Sequence, residues 1–260
     1  MSNQSSSASS STSSRAPSAV RVIVNGARGR MGSLVCALAR SDARFALIGA
    51  LDRAGETDAG ARTVAARGVE AGAIAHDPDA ITPGCADVVI DFSSPEGAAS
   101  AIAVARRAGA ALLVGTTGLD DALRAKLREE SRSRAVMLAP NTSTGIATLS
   151  TLVRRAAEML GASAEVSIVE AHHSKKKDAP SGTAIRLVEA LAEAGVRVPA
   201  SQVLSIRGGD VIGEHTVRLA MAGEVVELTH RATSREVFAH GALRAAEFLA
   251  RAGPGWWTMH

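Results

Sequence analysis

Through the first half of the chain, short unbroken apolar runs alternate with longer stretches in which apolar residues return every three or four positions. Val20-Arg21-Val22-Ile23-Val24 reads as a buried strand, and the apolar positions running on to Leu38 read as a helix. Phe45–Leu51 reads as a second strand, closing on Asp52-Arg53. Asp87–Ile90, Ala111–Val114 and Ala135–Leu138 read as further strands, with helices over 95–108 and 120–132 between them. Residues 54–80 carry no clear period. Strand, helix and strand at this spacing predict right-handed crossovers, hence an open parallel sheet with helices on both faces.

Past Asn141 the rhythm changes. A helix is expected from Ile146 to Leu160, a half-exposed strand over Glu165–Glu170, and a helix starting near Ser181. Two alternating segments, 214–221 and 224–231, flank Ala222-Gly223 and predict a hairpin. This half reads as α+β with an antiparallel or mixed sheet. A last amphipathic stretch, Val237–Leu249, places Phe238, Leu243 and Phe248 at near-helical spacing and is expected to return onto the first half. Residues 1–19 are Ser-rich without a hydrophobic period, too poor in apolar surface to offset the entropy of ordering, and read as a disordered tail.

Composition narrows the function classes. With 46% hydrophobic residues, 2% aromatics and no Tyr among 260, the core must be aliphatic, which suits a buried parallel sheet and argues against stacking platforms for single-stranded nucleic acid. A net charge of +3 fits an anionic small molecule as well as a polymer. No apolar run reaches the ~18 residues of a membrane span, and no charged-then-apolar signal segment opens the chain. Two cysteines, Cys36 and Cys85, make no disulfide framework, so a reduced, cytoplasmic setting is expected.

Candidate chemistry concentrates in two places. Gly26, Gly29 and Gly32 follow the first strand and open a helix, giving Gly26-Ala27-Arg28-Gly29-Arg30-Met31-Gly32. Glycines there let the backbone approach a pyrophosphate, which the N–H groups of a helix N-terminus would then bind. Asp52, at the end of the next strand, stands where a carboxylate binds a ribose diol, and Arg53 beside it could accept a 2′-phosphate, so little discrimination between NADH and NADPH is expected. Gly115-Thr116-Thr117-Gly118 and Ala139-Pro140-Asn141-Thr142 each follow a strand; by spacing alone they could serve the nicotinamide end of a cofactor or be capping turns.

The second place is Glu170-Ala-His172-His173-Ser174-Lys175-Lys176-Lys177-Asp178-Ala-Pro-Ser181-Gly182-Thr183-Ala184. If a strand runs into His172, the two histidines point to opposite faces and have different roles. A lysine is a point charge and, when partly desolvated, a proton donor. Ser181-Gly182-Thr183 resembles a helix N-terminus open to a carboxylate. A lysine triplet also suits a solvated loop or a phosphate patch. The His pair could be half of a metal site, but no cluster with ligand spacing supports zinc and no metal is expected. Arg207-Gly208-Gly209-Asp210 and His215 are further candidates for the same cleft.

These residues resemble the 4-hydroxy-tetrahydrodipicolinate reductase (dihydrodipicolinate reductase) family. The resemblance runs over essentially everything after residue 20. It is carried most specifically by the Glu170–Ala184 segment, and further by the glycine loop, Asp91-Phe-Ser-Ser-Pro-Glu96, Gly115-Thr-Thr-Gly118, Ala139-Pro-Asn141 and Phe238-Ala-His-Gly-Ala-Leu-Arg244. It implies a Rossmann-like dinucleotide-binding domain of residues 20–142 and 237–260, and an α+β substrate-binding and tetramerisation domain of residues 143–236 with a mixed sheet. It implies hydride transfer from NADH or NADPH to a cyclic dicarboxylate, a homotetramer, and neither nucleic-acid nor membrane partners. By position, His172 and Lys176 match the family's proton-handling residues and His173, Gly182 and Thr183 its substrate contacts. Gly26 to Met31, Asp52, Arg53, Gly115 to Thr117 and Ala139 to Thr142 match its cofactor site. Two departures stand out. Thr142 replaces a bulkier residue, and the chain stops at His260, slightly early, so the family's final strand or turn is expected to be missing or rearranged. The competing readings are a related reductase of another imine or aldehyde, and a non-enzymatic dinucleotide- or nucleic-acid-binding protein.

Overall fold

The computed structural model describes residues 18–52 and 81–259. The tail up to residue 17, Arg53, the stretch 54–80 and His260 lie outside the described residues.

Six parallel strands form the first sheet, in the order β10-β5-β4-β3-β1-β2. They are β1 (Val20–Asn25), β2 (Phe45–Leu51), β3 (Val88–Asp91), β4 (Ala111–Val114), β5 (Ala135–Leu138) and β10 (Gly255–Trp257). Aliphatic residues buried on both faces explain why the strands read as continuous apolar runs. Val22, Val24, Val88, Ile90 and Leu113 face one layer, formed by α1 (Arg30–Ser41) and α6 (Glu236–Leu249). Ile23, Val89, Leu112 and Val114 face the other, formed by α2 (Pro95–Ala108) and α3 (Asp121–Glu130). Local signals set the helix ends. The Ser94 hydroxyl caps α2 by accepting from Gly97 N at 3.2 Å, Pro95 fits its first turn, and Gly109 ends it at φ 67°. The Asp120 carboxylate caps α3, accepting from Leu123 N at 2.7 Å. The chain leaves β1 for β2 on one side and returns at β3 on the other, so a crevice opens beyond the carboxyl ends of β1 and β3, where ligands bind in such folds.

The second sheet is mixed, in the order β7-β6-β8-β9. The parallel pair is β6 (Glu165–His172) with β7 (Leu204–Arg207), and the predicted hairpin is β8 (Glu214–Met221) with β9 (Glu224–Arg231). Helices α4 (Thr144–Leu160) and α5 (Gly182–Glu193) cover one face, burying Val153, Leu187 and Leu191 against Ile168, Val217 and Leu219. The other face carries Leu204, Ile206 and Val225, which are 61%, 56% and 47% exposed, and no helix among the described residues covers it.

Three expectations need correction. A last strand does follow α6: β10 pairs in parallel with β5, with Trp256 opposite Val136. It is only three residues long, at a sheet edge, too short for a periodic signal. Strand β7 also goes unread: it is only four residues long and its alternation is inverted, with Leu204 and Ile206 exposed and Ser205 and Arg207 partly buried. The stripe of α6 is Ala239, Ala242, Leu243, Ala246 and Leu249; Phe248 is 47% exposed and meets the Trp257 ring edge-on at 5.1 Å. Helix α6 can lie this close because residue 241 is glycine: a Cβ there would sit 1.7 Å from the Thr142 carbonyl oxygen.

Candidate active site

The glycine loop occupies the crevice between β1 and β3. Gly26 adopts φ +79°, and a Cβ on it would lie 2.4 Å from the Phe92 carbonyl oxygen; a Cβ on Gly32 would lie 2.1 Å from Gly26 O. Gly29 precedes α1 and offers no side-chain cap, which leaves the first N–H groups of that helix to a ligand. The Asp52 carboxylate accepts from Arg28 N at 2.7 Å, fastening the loop to the end of β2. The residues present thus fit a dinucleotide's pyrophosphate: close backbone approach, amide donors at a helix N-terminus, and glycines at the three positions of the turn that face it. Gly26→Ala should cost a few kcal/mol of stability and most of the dinucleotide affinity, since the left-handed backbone and the contact with Phe92 both oppose it; unchanged melting temperature and affinity would show that the turn relaxes.

Beneath this crevice Asp91 is fully buried and accepts from Asn25 Nδ2 at 2.7 Å, Thr116 Oγ1 at 2.6 Å and Ser93 Oγ at 2.5 Å. Burial pushes its carboxyl above the usual range, and these three donors oppose that shift. One carboxylate therefore ties together the ends of β1, β3 and β4. The Thr116 side chain is committed to this network, accepting also from Ser93 N at 2.9 Å, so Thr116 meets the crevice only through its backbone. A Cβ on Gly115 would come within 2.1 Å of the Phe92 ring, so the two pack in direct contact. The Thr142 hydroxyl donates to Phe238 O at 2.6 Å and is likewise turned into the protein.

Two adjoining cavities lie between the sheets. The larger, about 730 Å³, is walled by the loop after β5 (Ala139, Pro140, Asn141), the Lys176–Asp178 turn and the start of α5 (Ser181, Gly182, Thr183). The smaller, about 340 Å³, reaches Arg30, Met31 and Gly115 on the glycine-loop side and His173 and Arg235 on the other. They share Thr117, Pro140, Asn141, His172, Lys176 and Thr183. The structure thus brings the expected residues to one place from both halves, with Asn141 as the link: its Nδ2 donates to Thr183 Oγ1 at 2.8 Å and its Oδ1 accepts from Ser143 N at 2.9 Å.

The strand β6 does run into His172, and the two histidines do part. His172 is buried, whereas His173 is half-buried and lines only the smaller cavity. Of the three lysines, Lys176 alone faces both cavities; its Nζ pairs with Asp178 at 2.8 Å, while Lys175 and Lys177 are exposed. Serine 181 caps α5, its hydroxyl accepting from Ala184 N at 3.2 Å. A Cβ on Gly182 would meet nothing within 4 Å, so the amides at the start of α5 open into the cleft.

Behind His172 lies a group that sequence reasoning only partly found. Glu170, two residues earlier on the same strand face, is fully buried and hydrogen-bonds His172 Nδ1. Arg207, from β7, grips its carboxylate with Nη2 at 2.7 Å and Nη1 at 3.0 Å. Burial alone would raise the Glu170 carboxyl; Arg207 and the other donors outweigh it and hold it at about 2. Burial lowers the pKa of His172 despite Glu170, so its imidazole is neutral near pH 7. Burial and then His172 push His215 down to about 3; its ring meets His172 edge-on at 5.1 Å and its Nε2 lies 3.1 Å from Ser181 Oγ. Arg207 and His215, further candidates for the cleft wall, stand behind it instead. Glu170, His172 and His215 do form a cluster with ligand atoms within 4.8 Å, which sequence spacing did not suggest. A guanidinium already holds both carboxylate oxygens there, supplying the positive charge a metal would bring.

Comparisons with known proteins agree with this geometry. The family model described as "Dihydrodipicolinate reductase, N-terminus" matches residues 20–142, and "Dihydrodipicolinate reductase, C-terminus" matches residues 145–260. A 4-hydroxy-tetrahydrodipicolinate reductase of Anaeromyxobacter dehalogenans (strain 2CP-C) is 43% identical over 259 residues, covering 92% of this chain and 96% of its own. One from Xanthomonas euvesicatoria pv. vesicatoria (strain 85-10) is 42% identical over 232 residues, covering 89% and 92%. In fold, the chain is similar to the dipicolinate-bound dihydrodipicolinate reductase of Paenisporosarcina sp. TG-14, with TM-score 0.74, 19% identity and coverage of 92% and 97%. An engineered D-amino acid dehydrogenase bound to NADP+ is a more distant match, with TM-score 0.52, 12% identity and 93% coverage of both chains. With both halves of the chain matched in order and relatives this similar over nearly their whole length, the chain belongs to the dihydrodipicolinate reductase family.

Proposed function

We propose that this chain reduces 4-hydroxy-tetrahydrodipicolinate with NADH or NADPH, residues 20–142 and 237–260 holding the dinucleotide and residues 143–236 the substrate. The observation that carries this reading is the shared wall of the two cavities, where Lys176, His172 and Thr183 stand between the glycine loop and the start of α5. When bound, the dinucleotide supplies a hydride. The chain does the rest. The amides of Gly182 and Thr183 meet a carboxylate with their donors and with the partial positive charge of the helix end. Because Thr183 Oγ1 accepts from Asn141, its own proton remains to donate to that carboxylate. His173 approaches from the smaller cavity. Loss of the 4-hydroxyl together with a neighbouring ring proton as water would leave the conjugated imine to which hydride adds, and Lys176 delivers a proton to the electron pair that this addition displaces towards the ring nitrogen, a contribution of ~10²–10⁴-fold for a placed general acid. The test is oxidation of the reduced nicotinamide, followed by its near-ultraviolet absorbance, with enzymatically generated substrate and with NADH and NADPH in parallel; no oxidation with either sinks the reading. Asp52→Ala should weaken NADH more than NADPH, and equal weakening would take Asp52 off the ribose.

A homotetramer and a cytoplasmic setting are part of the proposal. The open face of the second sheet, with exposed Leu204, Ile206 and Val225, suits burial against further copies. Cys36 and Cys85 carry no disulfide, in keeping with a reducing compartment. No described helix is long and apolar enough to cross a membrane. Ile206→Glu should lower the molar mass found by light scattering, and an unchanged mass would move the interface elsewhere.

A further inference from the structure

His172 lines both cavities, but Glu170, Arg207 and His215 line neither. Glu170 makes no contact that could touch a substrate, yet it is surrounded by donors. Arg207 holds both its oxygens, Ser181 N donates to Oε1 at 3.3 Å, and His172 Nδ1 meets Oε2. The same guanidinium donates to Asp178 O at 2.7 Å and Ile206 O at 2.7 Å, so it is itself fixed by the lysine-bearing turn and by β7. An ionised carboxylate only accepts hydrogen bonds, so the atom facing it must carry a proton. The far edge of the ring, Nε2, lies towards Gly213, next to Ile212 in the wall of the smaller cavity.

We propose that Glu170, clamped by Arg207, is a positioning residue that fixes His172 in the tautomer protonated on Nδ1 and presents Nε2 to the substrate as a hydrogen-bond acceptor. This deepens the proposed function and rests on its reading of His172 and Lys176. It divides the labour between them: with Nε2 bare, His172 accepts and orients, and Lys176 is the donor. The groups facing the imidazole pull in two directions. Glu170, on β6, holds the Nδ1 proton and by its charge favours a second one; burial outweighs it, aided by Arg207 from β7 and Lys176 from the turn, so Nε2 stays bare, while the His215 ring from β8 meets the imidazole edge-on.

Nitrogen-15 NMR of histidine-labelled full-length protein near neutral pH tests the assignment, with His172→Asn identifying the signals. The wild type should show His172 protonated on Nδ1 and unprotonated on Nε2. Glu170→Gln should shift that signal towards the other tautomer and lower kcat roughly 10–100-fold, the range typical of removing the partner that orients a functional imidazole, with KM for the dinucleotide unchanged. A wild type protonated on Nε2 overturns the proposal, as does a Glu170→Gln enzyme with normal kcat. If the variant does not fold, the wild-type spectrum alone decides. The expected tautomer without turnover of the dipicolinate-pathway substrate would support the assignment and overturn the reaction.

Discussion

Lys176→Ala is expected to lower turnover at least ~10²-fold while dinucleotide binding persists. Lys176 is the one lysine of its triplet facing both cavities, and its Nζ is held by Asp178 at 2.8 Å, so its loss removes a placed donor. The glycine loop, Asp52 and the Asp91 network lie on the other side of the cleft and are left intact. Steady-state turnover and titration of reduced dinucleotide by fluorescence give the two quantities. Lys175→Ala, an exposed neighbour, is the control and should stay within a few-fold of normal. Near-normal turnover of Lys176→Ala would take that residue out of the acid role.

The second large effect is on stability. Arg207→Met should cost about 3–5 kcal/mol, because it leaves the buried Glu170 carboxylate without its bidentate cation. The loss should depend on pH. In the wild type the Glu170 carboxyl titrates at about 2 in the folded state against an ordinary 4.5, so the stabilisation is fully present above 4.5 and drains as pH falls towards about 2. In the variant, burial opposes ionisation with less to counter it, the folded carboxyl moves up, and ionising it destabilises the fold as pH rises. The gap between the two proteins should therefore widen from acid towards neutral pH. Urea denaturation at both ends of that window measures it, and an equal gap at both would show that Glu170 does not carry the effect.

What could be read from the chain follows how local each signal is. Helix α2 is legible because Ser94, Pro95 and Gly109 sit at its ends, and the hairpin because two alternating segments flank Ala222-Gly223. The parallel strands are legible because both their faces are buried. The glycine loop and the His-Lys-Ser-Gly-Thr segment are contiguous, so their chemistry could be anticipated. The Glu170–Arg207 clamp joins strands 37 residues apart, a pairing no local pattern encodes. Its first half was within reach, since Glu170 and His172 share a strand face by the two-residue period. The hydroxyls of Thr116 and Thr142 show a limit of another kind: both residues stand in plausible cofactor loops, but Asp91 and the Phe238 carbonyl claim their side-chain oxygens, so sequence could not say which of their atoms face a ligand, although Thr142 does line the smaller cavity.

The backbone passes between the two sheets twice, once at Thr142-Ser143 and once on the way into α6. These passages are pinned together, by the bond from Thr142 to Phe238 and by the glycine that lets α6 press on the Thr142 carbonyl. A side chain at position 241 should therefore disturb both crossings at once, since the footing of one is the wall of the other.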